Sequence, residues 1–315
     1  MTDTSPTLTL RLGTRGSLLA KAQSTWVARQ IEARDPGVRV ELVIITTTGD
    51  QIVDKPLHAF GGKGLFTKEL EQALLAGRVD FAVHSFKDVP VTMPLVDTAE
   101  LIIAAVPPRE DARDCWASTT ARSLRDLPAG AKVGTGSLRR RCQILHHRPD
   151  LVVESIRGNI DTRLRKLREG QHDAIVLATA GLKRGGLLDE SWMTPIDAAD
   201  MLPAPGQGAL ALQCRRDAAE CRQVLASMHD PATATCVDLE REIVRGLDGD
   251  CHSPIAALAT ISGDRISLWA AAGGRDGVPP VGFSHAEAPL NDSSAAAVLV
   301  LEELERQGVP ERLRG

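Results

Sequence analysis

Arginines gather where this sequence turns into helices. Arg139, Arg140 and Arg141 follow the turn Gly134-Thr135-Gly136-Ser137, and Arg157 and Arg163 bracket Gly158-Asn159. Free N–H groups and the helix dipole already make a helix N-terminus positive, so it is the wrong end for cations. Guanidiniums collected there imply a bound anion, and several imply a polyanion. A second candidate is His84-Ser85-Phe86-Lys87-Asp88-Val89-Pro90, which follows the apolar run Phe81-Ala82-Val83. Ligands of open α/β sheets bind outside the carboxyl ends of the strands, which puts Asp88 and Lys87 where chemistry would occur. His84 reads as a structural residue. The third is Cys251, on the turn-rich stretch Asp248 to Pro254. A loop cysteine can be a nucleophile or inert, and a histidine next to it in sequence seldom has the geometry of a Cys–His couple. The residues alone leave this open.

The elements that would position these groups can be read from periodicity. Leu8 to Leu12 alternates as a strand, and Ser17 is placed to cap a helix carrying Leu18, Ala22 and Trp26. Lys132-Val133 is a strand, and Ser137 caps a helix whose apolar face is Leu138, Cys142 and Leu145. The two units share strand, Gly-Thr turn, serine and helix, an internal echo that predicts two similar α/β domains. Val38 to Thr46, Leu101 to Val106, Leu151 to Val153 and Asp173 to Leu177 read as further strands. Ile160, Leu164 and Leu167 form the inward stripe of another helix. Thr47 to Gly64 is a long glycine-bearing loop, and Phe66 to Leu75 a helix ending at Gly77. Pro107-Pro108 and Pro203-Ala204-Pro205-Gly206 mark two crossings between domains, with Gly208 to Gln213 returning as a strand to the first. Two crossings predict a pair of hinged lobes with a cleft between them. A helix over Val237 to Leu247, strands over Ile255 to Ile261 and Ile266 to Ala271, and a helix over Ser293 to Glu305 predict a small C-terminal α+β domain. The expected division is residues 1–107 with 205–227, then 108–204, then 228–315.

Composition narrows the function. The 315 residues carry a formal net charge of −4, 43% hydrophobic and 25% charged residues, ordinary for a globular protein. The arginine clusters are therefore local. With 3% aromatics and no tyrosine, the chain lacks the stacking platforms of a general nucleic-acid binder. No signal peptide or transmembrane run is visible, so the expected compartment is the cytoplasm, with no membrane partner. Six cysteines without metal-ligand spacing are expected to be reduced, and no metal site is expected.

Taken together, the motifs resemble the porphobilinogen deaminase family. They are Gly13-Thr14-Arg15-Gly16-Ser17, Gly61-Gly62-Lys63-Gly64-Leu65-Phe66, His84 to Pro90, Gly134 to Arg140, Arg157-Gly158-Asn159 with Thr162-Arg163-Leu164, Gly206-Gln207-Gly208-Ala209, and Cys251. They stand in the family's order over nearly the whole chain. The resemblance implies two lobes like periplasmic binding proteins plus a small third domain. It also implies a dipyrromethane cofactor joined by a thioether to Cys251, and the head-to-tail condensation of four porphobilinogen molecules into linear hydroxymethylbilane with loss of ammonia. By resemblance, Ser85, Lys87, Thr135, Ser137, Arg139, Arg140 and Arg163 hold the cofactor, and Arg15, Ser17, Arg157 and Arg184 hold the incoming porphobilinogen. Asp88 is the catalytic carboxylate, stabilising the cationic pyrrole left when ammonia departs. The acetate and propionate groups of each pyrrole explain the arginines, since cofactor and growing polypyrrole form a polycarboxylate. The family is usually monomeric. Two positions depart from its pattern: Asp250 stands where glycine is common, and Gly136 where many members have serine. Two rivals remain: a non-catalytic two-lobed receptor for a small anion, and a nucleic-acid-binding protein. The receptor needs neither Cys251 nor a third domain, and net charge opposes the nucleic-acid reading.

Overall fold

The computed structural model describes residues 8–47, 67–91, 100–250 and 252–314. The chain divides into two compact units, Met1–Arg109 with Ala209–Ala234, and Glu110–Gly208 with Thr235–Gly315.

The first unit is built on β1 (Leu8–Thr14), β2 (Val38–Ile44), β3 (Phe81–Ser85), β4 (Leu101–Ala105) and β10 (Leu210–Arg215), in the order β2-β1-β3-β10-β4. The first three are parallel, and β10 runs antiparallel to both its neighbours. The strand expected to return after the second crossing does so, between β3 and β4. Both faces of the sheet are covered. One carries Leu10, Leu12, Phe81, Val83 and Leu212 under α1 (Leu18–Arg34) and α6 (Ala219–Ala226). The other packs Val79 and Ala82 on Leu70 and Leu74 of α2 (Lys68–Leu75). Two covered faces account for the continuous apolar run of β3.

The second unit repeats this plan. Its larger sheet joins β5 (Asp114–Ala117), β6 (Lys132–Gly134), β7 (Val152–Glu154), β8 (Ala174–Ala178) and β9 (Met193–Pro195) in the order β7-β6-β8-β5-β9. Again three strands are parallel and the fourth is antiparallel to both neighbours. Its helices are α3 (Leu138–His147), α4 (Ile160–Arg168) and α5 (Thr179–Arg184). The internal echo is thus a true correspondence: β1 and β6 hold the same place, each followed by a serine-capped helix. Ser17 accepts from Ala20 N at 3.3 Å, and Ser137 from Arg140 N at 3.5 Å. Both helices end two residues before a proline, Pro36 or Pro149, whose ring disfavours helical backbone in the residue preceding it, Asp35 or Arg148. The glycines that close β1 and β6 are set by packing. A Cβ on Gly13 would stand 3.1 Å from Val79 Cγ2, and one on Gly134 would stand 3.0 Å from Ile175 Cγ2.

The C-terminal part of this unit is an antiparallel meander of β11 (Ile255–Ser262), β12 (Arg265–Ala272) and β13 (Gly282–Pro289). With it go α7 (Pro231–Gly246), α8 (Ser294–Arg306) and α9 (Val309–Arg314). Ile266, Leu268 and Ala270 alternate into its core, as in a sheet covered on one side. Glu240 of α7 is fully buried and accepts from Gly206 N at 2.7 Å and Ala259 N at 2.9 Å. It fastens the second crossing to this meander. β5, β9, β13, α5, α6 and α9 were not anticipated from the sequence. No helix among the described residues is long and apolar enough to cross a membrane.

Candidate active site

In the first unit the site residues stand at the carboxyl ends of β1 and β3. Arg15 and Ser17 lie on the turn after β1. Thr14, fully buried, donates to Ala20 O at 3.2 Å and accepts from Ser24 Oγ at 2.8 Å, pinning that turn to α1. Ser85 ends β3, where Gln23 Nε2 donates to its Oγ at 3.0 Å. The buried face of α1 is Gln23, Ser24, Val27, Ala28 and Ile31. Leu18 is exposed, and Ala22 and Trp26 are half-buried. The helix spends two buried positions on polar side chains that hold the site turns, which apolar spacing cannot reveal.

Phe86-Lys87-Asp88 form a single 3-10 turn after β3. Buried Phe86 and Val89 anchor it, and Phe86 N donates to Ala209 O at 3.0 Å. Lys87 is half-buried and Asp88 exposed. The turn therefore offers a carboxylate to solvent or a ligand from a fixed backbone. His84 is buried beside it. Burial, aided by the charge of Arg15 and only partly opposed by a hydrogen bond to Gln213, lowers its pKa to about 4.

In the second unit the order of events along the chain is the same, but the arginines are not where periodicity put them. Thr135 Oγ1 accepts from Ser137 N at 3.2 Å in the turn after β6. The buried face of α3 is Arg139, Arg140, Cys142, Gln143 and Ile144, while Leu138 and Leu145 are half-buried. This corrects the expected stripe of Leu138, Cys142 and Leu145. The physical reason is Asp114, at the start of β5 and 0% exposed, against 4% for Arg139 and 6% for Arg140. Arg139 Nη1 donates to Asp114 Oδ2 at 2.6 Å and Nη2 to Oδ1 at 3.3 Å. Arg140 Nε and Nη2 donate to Oδ1 at 3.1 and 2.7 Å. Backbone carbonyls take further donors: Leu202 O from Arg139 Nη1 and Val176 O from Arg140 Nη1, each at 2.7 Å. Gln207, fully buried, donates to Asp114 Oδ1 at 2.9 Å and Ala112 O at 2.7 Å. Burial alone would raise the Asp114 pKa, but the two guanidiniums outweigh it and hold the group far below the usual carboxylate range. Burial pushes Arg140 down, against the pull of Asp114. Two cations share one anion here, and Arg139 Nε is buried with no hydrogen-bond partner among the described residues.

The remaining candidates lie nearer the surface. Arg157 follows β7, and Lys166 Nζ donates to its carbonyl at 3.3 Å. Arg163, on the first turn of α4, donates from Nε to Gly158 O at 2.8 Å. Gly158 has φ +107°, and a Cβ there would meet Thr162 Cγ2 at 2.6 Å, so both backbone and space require glycine. Arg184 ends α5 and donates to Gly208 O at 2.9 Å. Burial lowers its pKa to about 10, with Glu110 opposing. Beside it Lys183 pairs with Glu110 at 3.0 Å.

Of the two departures from the family pattern, Asp250 has a visible use. Its Oδ1 accepts from His252 N at 2.9 Å and from Ser253 N and Oγ, both at 3.0 Å, organising the turn. Burial would raise its pKa, and these donors lower it on balance. A Cβ at Gly136 would lie 3.3 Å from Ile156 O, so a serine there needs a slight shift. Cys251, the glycine-bearing loop after Thr47 and the segment Gly61 to Phe66 lie outside the described residues. Sequence reading missed Asp114 and Gln23, and gave Gln207 no role beyond its place in the motif Gly206 to Ala209. Asp114 closes the charged run Arg109-Glu110-Asp111-Ala112-Arg113-Asp114, which reads as a solvated face; the cue was the apolar Cys115-Trp116-Ala117 directly after it.

Residues 10–223 match the family model "Porphobilinogen deaminase, dipyromethane cofactor binding domain", and residues 234–305 match "Porphobilinogen deaminase, C-terminal domain". A porphobilinogen deaminase of Syntrophobacter fumaroxidans is 48% identical over 280 residues, 89% of each chain. One of Acidithiobacillus ferrooxidans is 46% identical over 303 residues, 96% of each. Among solved structures, the methionine binding protein MetQ has a TM-score of 0.43 at 15% identity, covering 70% of this chain and 89% of its own. The fold is α/β, with two lobes of one topology followed by a small α+β part. The chain belongs to the porphobilinogen deaminase family.

Proposed function

We propose that this chain is a transferase that condenses four porphobilinogen molecules into linear hydroxymethylbilane with release of ammonia, in tetrapyrrole (heme) biosynthesis. It works as a monomer, the family's usual state, in the cytoplasm, and the net charge and scarce aromatics support a function without nucleic-acid partners. A dipyrromethane thioether-linked to Cys251 supplies the pyrrole terminus on which the product grows. The observation that supports this most is the buried Arg139–Asp114–Arg140 group, which among the described residues holds one more cation than anion and an Nε without a partner. Such a donor set suits carboxylates, and pyrroles bearing acetate and propionate offer many.

Arg139, Arg140 and Arg163, with Ser85, Lys87, Thr135 and Ser137, hold acid groups of the cofactor. Arg15, Ser17, Arg157 and Arg184 orient the incoming porphobilinogen. Asp88 acts on charge: a carboxylate held on a rigid turn stabilises the positive pyrrole formed as ammonia leaves, and accepts and returns protons at its Oδ atoms. The test is Asp88→Asn. Folding and cofactor loading, followed by unfolding temperature and intact mass, are expected to persist while turnover falls at least a hundredfold, within the usual range for a lost acid–base group of roughly 10²–10⁴. Normal turnover by this variant would remove Asp88 from the chemistry.

A further inference from the structure

Asp114 uses one edge of each of its arginines, and which edges it uses has a consequence. A guanidinium presents two bidentate forks, an end-on pair (Nη1 and Nη2) and a side pair (Nε and Nη2). On Arg139, Asp114 takes the end-on fork, with Nη1 to Oδ2 and Nη2 to Oδ1. On Arg140 it takes the side fork, with Nε and Nη2 both to Oδ1. The second Nη1 proton of Arg139 goes to Leu202 O. What remains on Arg139 is its side fork: Nε–H, buried and without a partner among the described residues, and the Nη2–H on the same edge of the guanidinium. That fork matches one carboxylate.

The carboxylate doing this is itself fixed. Gln207 Nε2 holds Oδ1 and Ala112 O together, and Gln143 clamps Leu202 from both sides, donating to its carbonyl at 3.0 Å and accepting from its N–H at 2.8 Å. The strand position adds a contrast. Asp114 pairs with Ala178 at the end of β8, where the matching place in the first unit pairs Leu210 with Ser85. One lobe has a fully buried leucine at this position and the other a fully buried aspartate. The fold does not need a charge here.

We propose that Asp114 is a positioning residue for carboxylate recognition: by occupying the end-on fork of Arg139 and the side fork of Arg140, it holds the Nε–Nη2 fork of Arg139 open for one acid group of the dipyrromethane. This rests on the reading above that these arginines hold the cofactor. Without the anchor both guanidiniums rotate to satisfy themselves elsewhere, and the fork is lost.

The test compares loaded and unloaded protein. A Cys251→Ala chain cannot form the thioether and serves as the unloaded form. The unfolding temperature of the loaded parent is expected to exceed that of Cys251→Ala, and the gap reports cofactor grip. In Asp114→Asn, measured on the same two backgrounds, the gap is expected to shrink at least twofold. Arg139→Lys, which keeps the charge but has no fork, is expected to shrink it similarly. The pair Arg139→Lys with Asp114→Asn is expected to shrink it no further than either change alone. A merely structural aspartate lowers both forms equally, so an unchanged or wider gap overturns the proposal. If Asp114→Asn does not fold, Gln207→Leu loosens the same carboxylate while leaving its charge, with the same expected sign and a smaller size. A parent protein with no added mass overturns the cofactor reading itself; a loaded parent whose gap survives Asp114→Asn overturns only the role of Asp114.

Discussion

His84 and Gln213 face each other diagonally across β3 and β10, with His84 Nε2 2.9 Å from Gln213 Oε1. Gln213 Nε2 in turn donates to Glu71 Oε1 at 2.9 Å. Because the amide nitrogen is committed to Glu71, the carbonyl oxygen must face His84, and the imidazole must carry its proton on Nε2. All three side chains are buried. They form a polar strut running from α2 through the returning strand to the residue before Ser85. The strut sets the register of β10 on β3, and so places the turn that carries Lys87 and Asp88.

A pH dependence follows from this strut. The pKa of His84 falls from about 6.5 unfolded to about 4 folded, so the folded state disfavours its protonation. The stability due to the neutral ring is fully present above pH 6.5 and is lost as pH falls toward 4. The full shift corresponds to roughly 3 kcal/mol. Urea unfolding of the parent from pH 7 to 4 is expected to lose about this much more than unfolding of His84→Asn. Equal slopes for the two proteins would show that His84 is not titrating from a buried neutral state.

Two glycines with left-handed backbone separate strain from collision. Gly208 has φ +87°, and a Cβ there would lie 2.3 Å from Glu110 O. Gly170 has φ +74° with nothing within 4 Å of a Cβ. Gly170→Ala is expected to cost about 1 kcal/mol, from backbone strain alone. Gly208→Ala adds displacement of the Glu110 carbonyl and is expected to cost about 3 kcal/mol or more. Denaturant midpoints measure both, and equal costs would contradict the close approach.

The parts of this fold that sequence made legible are those with a local cause. Ser17 and Ser137 cap helices because the capping serine sits directly before the first turn. The Gly13-Thr14 and Gly134-Thr135 echo marked two sheets of one topology because each glycine closes the corresponding strand against a packed neighbour. What sequence hid are long-range polar contacts. Arg139 and Arg140 were readable as an anion site, but their protein anion is 25 and 26 residues away in Asp114. Gln23 meets Ser85 across 62 residues. Glutamine and aspartate carry no periodic signature, so only the folded topology brings such pairs together.

The central claim is a sulfur-linked dipyrromethane on Cys251. Intact mass of active purified protein, followed by peptide mapping, tests it most directly. The account predicts a covalent addition of two pyrrole units confined to the peptide holding Cys251, and no addition in Cys251→Ala. A fully active protein whose Cys251 peptide has only its unmodified mass would contradict it.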